Sequence, residues 1–226
     1  MSSDTAAGPF RRRGFLVVLS GPSGVGKTSF CDHLLETRTD TVRSVSATTR
    51  AQRPGEVDGR DYTFLDPPTF ARRRDAGEFI ETAEVHGHLY GTPQRFVEEA
   101  IGAGRIVLLN IDVQGGLAIK ARHPEGVYIF VYPPSIDHLR ARLVARAQDG
   151  GVEIERRLAN APGEMRRYRE YDYLVVNEDL PTALAQVSAI VEAERVRVGR
   201  LYVSSPTGAP ASGSSQVPAA TTPEDR

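Results

Sequence analysis

The stretch Gly21-Pro22-Ser23-Gly24-Val25-Gly26-Lys27-Thr28 decides the fold of this chain. It matches the pattern G-x-x-x-x-G-K-[ST] in full. The continuous apolar run Phe15–Leu19 precedes it, and a helical pattern that contains Phe30 follows it. Glycines let backbone N–H groups turn inward around phosphate oxygens, and a helix N-terminus adds a partial positive charge. The stretch therefore predicts a phosphate-binding loop between a buried strand and a helix.

Two side chains of this loop indicate what it binds. Lys27 can reach the β- and γ-phosphates of a nucleoside triphosphate, and the Thr28 hydroxyl can bind Mg²⁺. All eight residues from Gly21 to Thr28 are predicted to contact ATP, with Mg²⁺ as the cofactor. The loop by itself does not indicate which reaction follows.

The rest of the chain predicts an α/β fold with a parallel core sheet. Further apolar runs are continuous, as in strands buried on both faces. They are Ile106–Leu109, Val127–Tyr132, Tyr173–Val176 and, more weakly, Val42–Thr49. Helical patterns fall between them: from Pro93 to about Ala103, after Pro133-Pro134 with Ser135 as N-cap, and from near Pro181. Strands that alternate with helices indicate a layered fold.

One region interrupts this alternation, and both ends differ in composition. Residues 44–97 carry short strand-like pieces among Gly, Pro and charged residues, which predicts an inserted lobe. Residues 1–13 and 204–226 are too poor in apolar side chains to offset the entropy of ordering, so both are expected to be unstructured. The predicted folded domain is residues 14–203.

Composition restricts the compartment and the partners. The 226 residues carry 28 basic and 29 acidic side chains, so there is no basic excess that would indicate binding to nucleic acid or to an anionic membrane. Cys31 is the single cysteine and the first residues contain no apolar stretch. We therefore expect a cytoplasmic protein whose partners are small molecules, and the sequence leaves monomer or homo-oligomer open.

Four short motifs between residues 46 and 92 indicate a second substrate. They are Ser46-Ala47-Thr48-Thr49-Arg50-Ala51-Gln52-Arg53-Pro54-Gly55-Glu56, Asp61-Tyr62-Thr63-Phe64, Glu78-Phe79-Ile80-Glu81 and Leu89-Tyr90-Gly91-Thr92. Arg50 and Arg53 lie three residues apart, so both can bind one phosphate. The remaining polar groups, which include tyrosine hydroxyls and the Glu81 carboxylate, suit a phosphate and the edge of a base.

In the order and spacing of these motifs, residues 14–196 resemble the guanylate kinase family. The resemblance implies the three-layer P-loop fold of nucleoside monophosphate kinases and the reaction of ATP with GMP to give ADP and GDP. It also implies residue roles. GMP phosphate would be held by Arg50, Arg53, Tyr62 and Tyr90, and guanine would be recognised by Ser46, Glu81 and Thr92. Asp112 would lie near guanine and the metal, and Asn177 near the adenine of ATP. A lid over about residues 138–168 would supply Arg142, Arg146 and Arg157 to the transition state.

The chain departs from the family pattern at two positions. Asn110 stands where an acid is common, and an amide is neutral where an acid would favour a cation. Ala147 replaces a glycine of the lid, which would stiffen it. Two alternative functions stay open: a catalytically inactive binding module of guanylate kinase type, which predicts a damaged phosphate loop, and a related small-molecule kinase, which predicts loss of Glu81 and Thr92.

Overall fold

A computed structural model describes residues 10–85, 87–145 and 151–203 of the chain, without the side chain of Glu153. The strands are β1 (Phe10–Arg12), β2 (Phe15–Ser20), β3 (Thr41–Arg43), β4 (Ala47–Thr48), β5 (Thr63–Phe64), β6 (Phe79–Val85), β7 (His88–Pro93), β8 (Ile106–Asn110), β9 (Val127–Tyr132), β10 (Tyr173–Val176) and β11 (Leu201–Val203). The helices are α1 (Lys27–Thr37), α2 (Pro67–Asp75), α3 (Gln94–Gly102), α4 (Val113–Arg122), α5 (Ile136–Ala145), α6 (Gly151–Arg166) and α7 (Leu180–Arg195). None of these helices is long and apolar enough to cross a membrane.

Five parallel strands form the central sheet in the order β10-β9-β2-β8-β3. Along β2 the side chains alternate between two cores: Val17 and Leu19 pack toward α1 and α7, whereas Leu16 and Val18 pack toward α3 and α4. Because both faces of the sheet are covered by helices, its central strands β9, β2 and β8 are almost entirely apolar, whereas the edge strand β3 carries Thr41 and Arg43. The predicted three-layer α/β fold with a parallel core sheet is confirmed.

A second, mixed sheet in the order β5-β4-β7-β6 builds the lobe between α1 and α3. It has its own small core of Ala47, Phe70 and Phe79, in which the two phenyl rings stack at 4.9 Å. Gly91 lies against the Phe79 ring, and a Cβ there would approach that ring to 2.8 Å. The lobe therefore packs as a unit beside the main sheet.

Two predictions about the strands are wrong. The run Val42–Thr49 is not one strand: β3 pairs with β8 in the central sheet, whereas β4 pairs with β5 and β7 in the lobe. The chain leaves the central sheet at Ser44, whose N–H donates to the carbonyl of Leu108 at 3.1 Å. Residues 10–12, expected to be unstructured, form β1, which pairs antiparallel with β11. That pairing joins segments nearly 200 residues apart, which local composition does not reveal.

Two helices of the predicted lid pack against each other. Leu139 and Leu143 of α5 contact Leu158 and Ala161 of α6. The Ser135 hydroxyl accepts a hydrogen bond from the N–H of His138 at 3.2 Å, so the predicted N-cap of α5 is confirmed. Residues 146–150, which join the two helices, lie outside the described residues, and with them Arg146 and Ala147.

Candidate active site

A cavity of about 360 Å³ lies where the phosphate loop, the lobe and α6 meet. The carboxyl ends of β2 and β8 open into it, as is usual for ligand sites of open parallel sheets. It collects most of the residues predicted from the sequence. The predicted side chains that line it are Ser23, Lys27, Thr28, Ser46, Arg50, Arg53, Tyr62, Glu81, Tyr90, Asp112 and Arg157.

The phosphate loop has the backbone that its glycines allow. Gly24 and Gly26 have φ of 86° and 101°, in the left-handed region that favours glycine. Gly21 lies against β9, and a Cβ there would stand 2.2 Å from the carbonyl oxygen of Val131. The Lys27 ammonium donates to the carbonyls of Gly21 and Pro22 at 2.7 and 3.3 Å. The loop and its lysine are thus arranged around one concave surface at the N-terminus of α1.

Thr28 and Asn110 form a neutral pair beside this loop. The Asn110 amide donates to the Thr28 hydroxyl oxygen at 3.3 Å, and both residues line the cavity. The amide oxygen of Asn110 has no hydrogen-bond partner among the described residues. Hydroxyl and amide oxygens are donors that suit Mg²⁺, which usually keeps several waters and binds phosphate oxygens. These residues fit a Mg²⁺ ion carried in with a nucleotide.

The arginines of the lobe are held in place by one carboxylate. Arg50 donates to Glu56 at 2.7 Å, and the second oxygen of Glu56 accepts from the backbone N–H of Arg53 at 2.8 Å. The Arg50 guanidinium also lies 5.4 Å above the Tyr62 ring, which in turn meets the Tyr90 ring edge-on at 5.9 Å. Burial alone would lower the pKa of Arg50, but the interactions with Glu56 and Tyr90 raise it above its usual value. Arg50 therefore stays positively charged.

Glu81 is a buried carboxylate with one oxygen left for a ligand. Only 5% of its surface is exposed. Its Oε1 accepts from the Thr92 hydroxyl at 2.8 Å, whereas Oε2 has no hydrogen-bond partner among the described residues. Burial raises the pKa of Glu81 to about 7, and the nearby charge of Asp112 adds to the rise. An orphaned buried acceptor is costly, which indicates that a ligand donor completes it.

Asp112 stands opposite Glu81 at the start of α4. Its Oδ1 caps that helix by accepting from the N–H groups of Gln114 and Gly115 at 2.7 and 3.2 Å. The Cα of Gly115 lies between the two carboxylates, since a Cβ there would stand 3.4 Å from an oxygen of each. The helix that Asp112 caps was not predicted from the sequence, although Asp is one of the residues preferred at a helix N-cap.

The predicted lid residues separate into two groups. Arg157 of α6 reaches the cavity and donates to the Ser23 hydroxyl at 2.8 Å. Arg142 of α5 does not line it; its guanidinium donates to the carbonyl of Val25 at 2.9 Å. Asn177 donates to the same carbonyl at 2.8 Å, and its buried Oδ1 has no partner among the described residues. Arg142 and Asn177 line a separate depression behind the phosphate loop.

Glu164 and Arg43 are among the cavity residues that sequence reasoning missed. Glu164 lies seven residues after Arg157, hence on the same face of α6, a spacing that could have indicated it. Burial raises the pKa of the Glu164 carboxyl, and the opposing charges of Lys27 and Arg157 show how close it lies to the phosphate loop. Arg43, at the end of β3, also lines the cavity, and no local sequence signal marks it.

The phosphate loop, the arginine-bearing lobe and α6, which contributes Arg157, border one cavity. That arrangement suits in-line transfer of a phosphoryl group between two bound molecules. The fold and the site therefore place the chain among the P-loop kinases of small molecules.

Comparisons with known proteins give the family. A family model described as guanylate kinase matches residues 13–194. The guanylate kinase of Symbiobacterium thermophilum is 46% identical over 192 residues, covering 85% of this chain and 91% of that one. The Bordetella pertussis enzyme is 49% identical over 183 residues, covering 81% and 84%. A crystal structure of guanylate kinase from Anaplasma phagocytophilum aligns with a TM-score of 0.73 at 38% identity, over 85% of this chain and 92% of that chain.

The chain belongs to the guanylate kinase family. It is a phosphotransferase, and its reaction is the ATP-dependent phosphorylation of GMP in purine nucleotide metabolism. The binding-module alternative predicted a damaged phosphate loop, whereas Lys27 and Thr28 are present and line the cavity. The alternative of another small-molecule kinase predicted loss of Glu81 and Thr92, which are present and hydrogen-bonded to each other.

Proposed function

We propose that the cavity holds GMP in the lobe and the triphosphate of ATP on the phosphate loop, with the residue roles that follow. The single observation that carries this placement is the orphaned Oε2 of Glu81 in the same cavity as Lys27. Guanine offers N1–H and the N2 amine along one edge, and an ionised carboxylate can accept from both. Thr92 and Ser46 complete recognition of the base, and Asp112 supports it from α4.

GMP phosphate is held by Arg50, Arg53, Tyr62 and Tyr90. Glu56 fixes Arg50 before the substrate arrives, so little side-chain entropy is lost on binding. An oxygen of the GMP phosphate then attacks the γ-phosphorus of ATP, the bond to the β-phosphate oxygen breaks, and ADP leaves. The protein supplies position and positive charge, and no side-chain nucleophile is needed.

Lys27, Arg157 and Arg146 stabilise the charge that spreads over the transferred phosphoryl group. Arg157 is in place on α6 beside Ser23. Arg142 stabilises the loop through the Val25 carbonyl and, with Asn177, borders the adenine of ATP. Residues 14–203 form the catalytic domain, with the GMP lobe at about 44–97 and the lid at about 138–168.

Mg²⁺ is the proposed cofactor. Thr28 and the phosphates of ATP would hold it, and Asn110 would contact its water ligands. When bound, the ion neutralises negative charge on the β- and γ-phosphate oxygens. ATP and GMP are the proposed partners and the cytoplasm the proposed compartment, in keeping with a chain whose single cysteine, the buried Cys31, cannot form an internal disulfide.

The test is a coupled assay of ADP formation with Mg²⁺ and ATP, offering GMP, AMP, CMP and UMP in turn. We expect GMP to be preferred over AMP by roughly 10⁴-fold in kcat/KM, because adenine would place an acceptor against Glu81. Glu78→Gln, in the same lobe but on the surface, is the matched control for Glu81→Gln. Comparable turnover of AMP and GMP by the parent protein would refute the proposed recognition of guanine.

A further inference from the structure

Arg43 is a cavity residue to which the roles above assign nothing. It ends β3, the edge strand of the central sheet, one residue before the chain crosses into the lobe. Its neighbour Val42 packs into the core under α3 and α4. Because side chains alternate along a strand, Arg43 is directed to the other face, where it lines the cavity with Arg50, Arg53 and Tyr62.

Arg43 is half-buried, and its guanidinium has no hydrogen-bond partner among the described residues. It makes no hydrogen bond or ion pair with residues 10–85, 87–145 or 151–203. Other arginines around β3 are bound within the protein: Arg38 to Asp40 and Glu192, and Arg105 to the carbonyl of Thr41. Since a guanidinium carries five N–H donors and none of them has a partner among the described residues, all five are available to a ligand in the cavity.

The charge of Arg43 reaches the groups that border GMP phosphate. Burial raises the pKa of the Tyr62 hydroxyl, and the positive charges of Arg50 and Arg43 both oppose that rise. The charge of Arg43 also acts on the Asp61 carboxylate, whose Oδ2 accepts hydrogen bonds from the N–H of Val57 at 2.8 Å and from Arg60 at 2.9 Å. Arg43 thus faces the phosphate end of the lobe.

We propose that Arg43 is a third arginine of the GMP site and binds the phosphate of GMP together with Arg50 and Arg53. Three guanidinium groups around one cavity repel each other unless a strong anion joins them, and a phosphate monoester carries about −1.5 to −2 charges at pH 7. A guanidinium is donor-only, and Arg43 lines the cavity together with Arg50, Arg53 and Tyr62, so we assign it the phosphate oxygens of GMP rather than the acceptors of guanine or ribose. This inference rests on the proposed placement of GMP.

Arg43 differs from the other two arginines in what positions it. Arg50 and Arg53 lie on a loop, whereas Arg43 lies on a strand of the central sheet that also carries the phosphate loop on β2. A group on the main sheet gives the GMP phosphate a contact from a second element of the fold. Arg43 therefore holds the GMP phosphate in the ground state as much as in the transition state, and its loss is expected in the KM for GMP more than in kcat.

The test compares Arg43→Met and Arg43→Lys with the parent by calorimetric titration of GMP, guanosine and ATP, each alone. We expect Arg43→Met to weaken GMP binding about tenfold, as for loss of a charge-assisted hydrogen bond, and to leave guanosine and ATP unchanged. Arg43→Lys keeps the charge but loses the planar fork, so its loss is smaller. Because Arg43 has no partner to lose in the described protein, the ligand-free melting temperature of Arg43→Met is not lowered.

Two further variants separate the reasons for failure. Arg95→Met removes one charge from an exposed position on α3 and controls for net charge. Arg50→Met measures how much GMP binding is lost when one of the proposed phosphate-binding arginines is removed. Unchanged GMP binding in Arg43→Met, with loss in Arg50→Met, would overturn this inference alone; no loss in either would overturn the proposed phosphate site. Equal loss for GMP and guanosine, or loss for ATP only, would also contradict it.

Discussion

Glu81→Gln is expected to stabilise the ligand-free protein at pH 8 while damaging its use of GMP. The carboxyl of Glu81 is buried, accepts one hydrogen bond from Thr92 and leaves Oε2 without a partner among the described residues. Its ionised form is therefore poorly solvated, and an uncharged amide of nearly the same shape avoids that cost.

The magnitude follows from the pKa of Glu81, which rises from 4.5 to about 7, chiefly because of burial. At 1.36 kcal/mol per unit, this difference corresponds to about 3 kcal/mol. The folded pKa lies above the unfolded one, so the native state holds its proton more tightly. The free energy of unfolding of the parent protein therefore falls as pH rises from about 4.5 to 7, and the full cost is present above 7.

Thermal unfolding of the ligand-free proteins measures this effect. At roughly 2–4 °C per kcal/mol for a domain of this size, Glu81→Gln should melt about 6–12 °C above the parent at pH 8. Near pH 5 the two should differ by about 1 kcal/mol or less, because Glu81 is then largely protonated in the folded parent. Glu78→Gln, whose carboxylate is on the surface, should show neither effect. A pH-independent difference, or a less stable Glu81→Gln at pH 8, would refute the reasoning.

Although Glu81→Gln should stabilise the ligand-free protein, it should impair the reaction with GMP. An amide cannot accept from both guanine donors, so kcat/KM for GMP should fall by a factor equivalent to about 1.5–3 kcal/mol, and the GMP/AMP ratio should narrow. Guanosine binding by the parent should strengthen as pH rises through about 7, because it requires the ionised carboxylate of Glu81. Guanosine is the ligand to use because it has no phosphate that titrates in the same pH range. An unchanged GMP/AMP ratio in Glu81→Gln would mean that this residue does not recognise the base.

Three further predictions concern the phosphate loop, the metal and the packing. Lys27→Ala should lower kcat by orders of magnitude with a smaller effect on KM, because the Lys27 charge stabilises the phosphoryl group while it is transferred. Near-normal turnover of Lys27→Ala would exclude that role. Asn110→Asp should lower the Mg²⁺ concentration needed for half-maximal rate, measured against Asn160→Asp on the surface of α6 as the charge-matched control. Gly116→Ala should cost about 1–3 kcal/mol in denaturant unfolding, because its Cβ would approach the hydroxyls of Ser20 and Tyr171 to 2.5 and 2.6 Å; Gly102→Ala, with open space around it, is the control.

Several features of this protein could be predicted from short stretches alone. The strands at 15, 106 and 127 were recognisable because a strand buried on both faces is apolar at nearly every position. The edge strand at 173 is also apolar, although Leu174 and Val176 are exposed. The phosphate loop was recognisable because left-handed backbone at Gly24 and Gly26 requires glycine at those positions. The N-cap at Ser135 depends on a group three residues away. In each case the physical cause and the sequence signal occupy the same few residues.

Other features were decided by the tertiary structure. Residues 42–49 divide between two sheets because β3 and β4 have partners in distant strands. Glu81 has a raised pKa because the fold buries it and brings Asp112 of another segment beside it. Arg43 resembles an ordinary strand residue in the sequence, and only the fold places its side chain in the cavity with no partner among the described residues. Burial, electrostatic coupling and unmet hydrogen bonds arise from segments that meet only in space, and for that reason the local pattern of residues does not contain them.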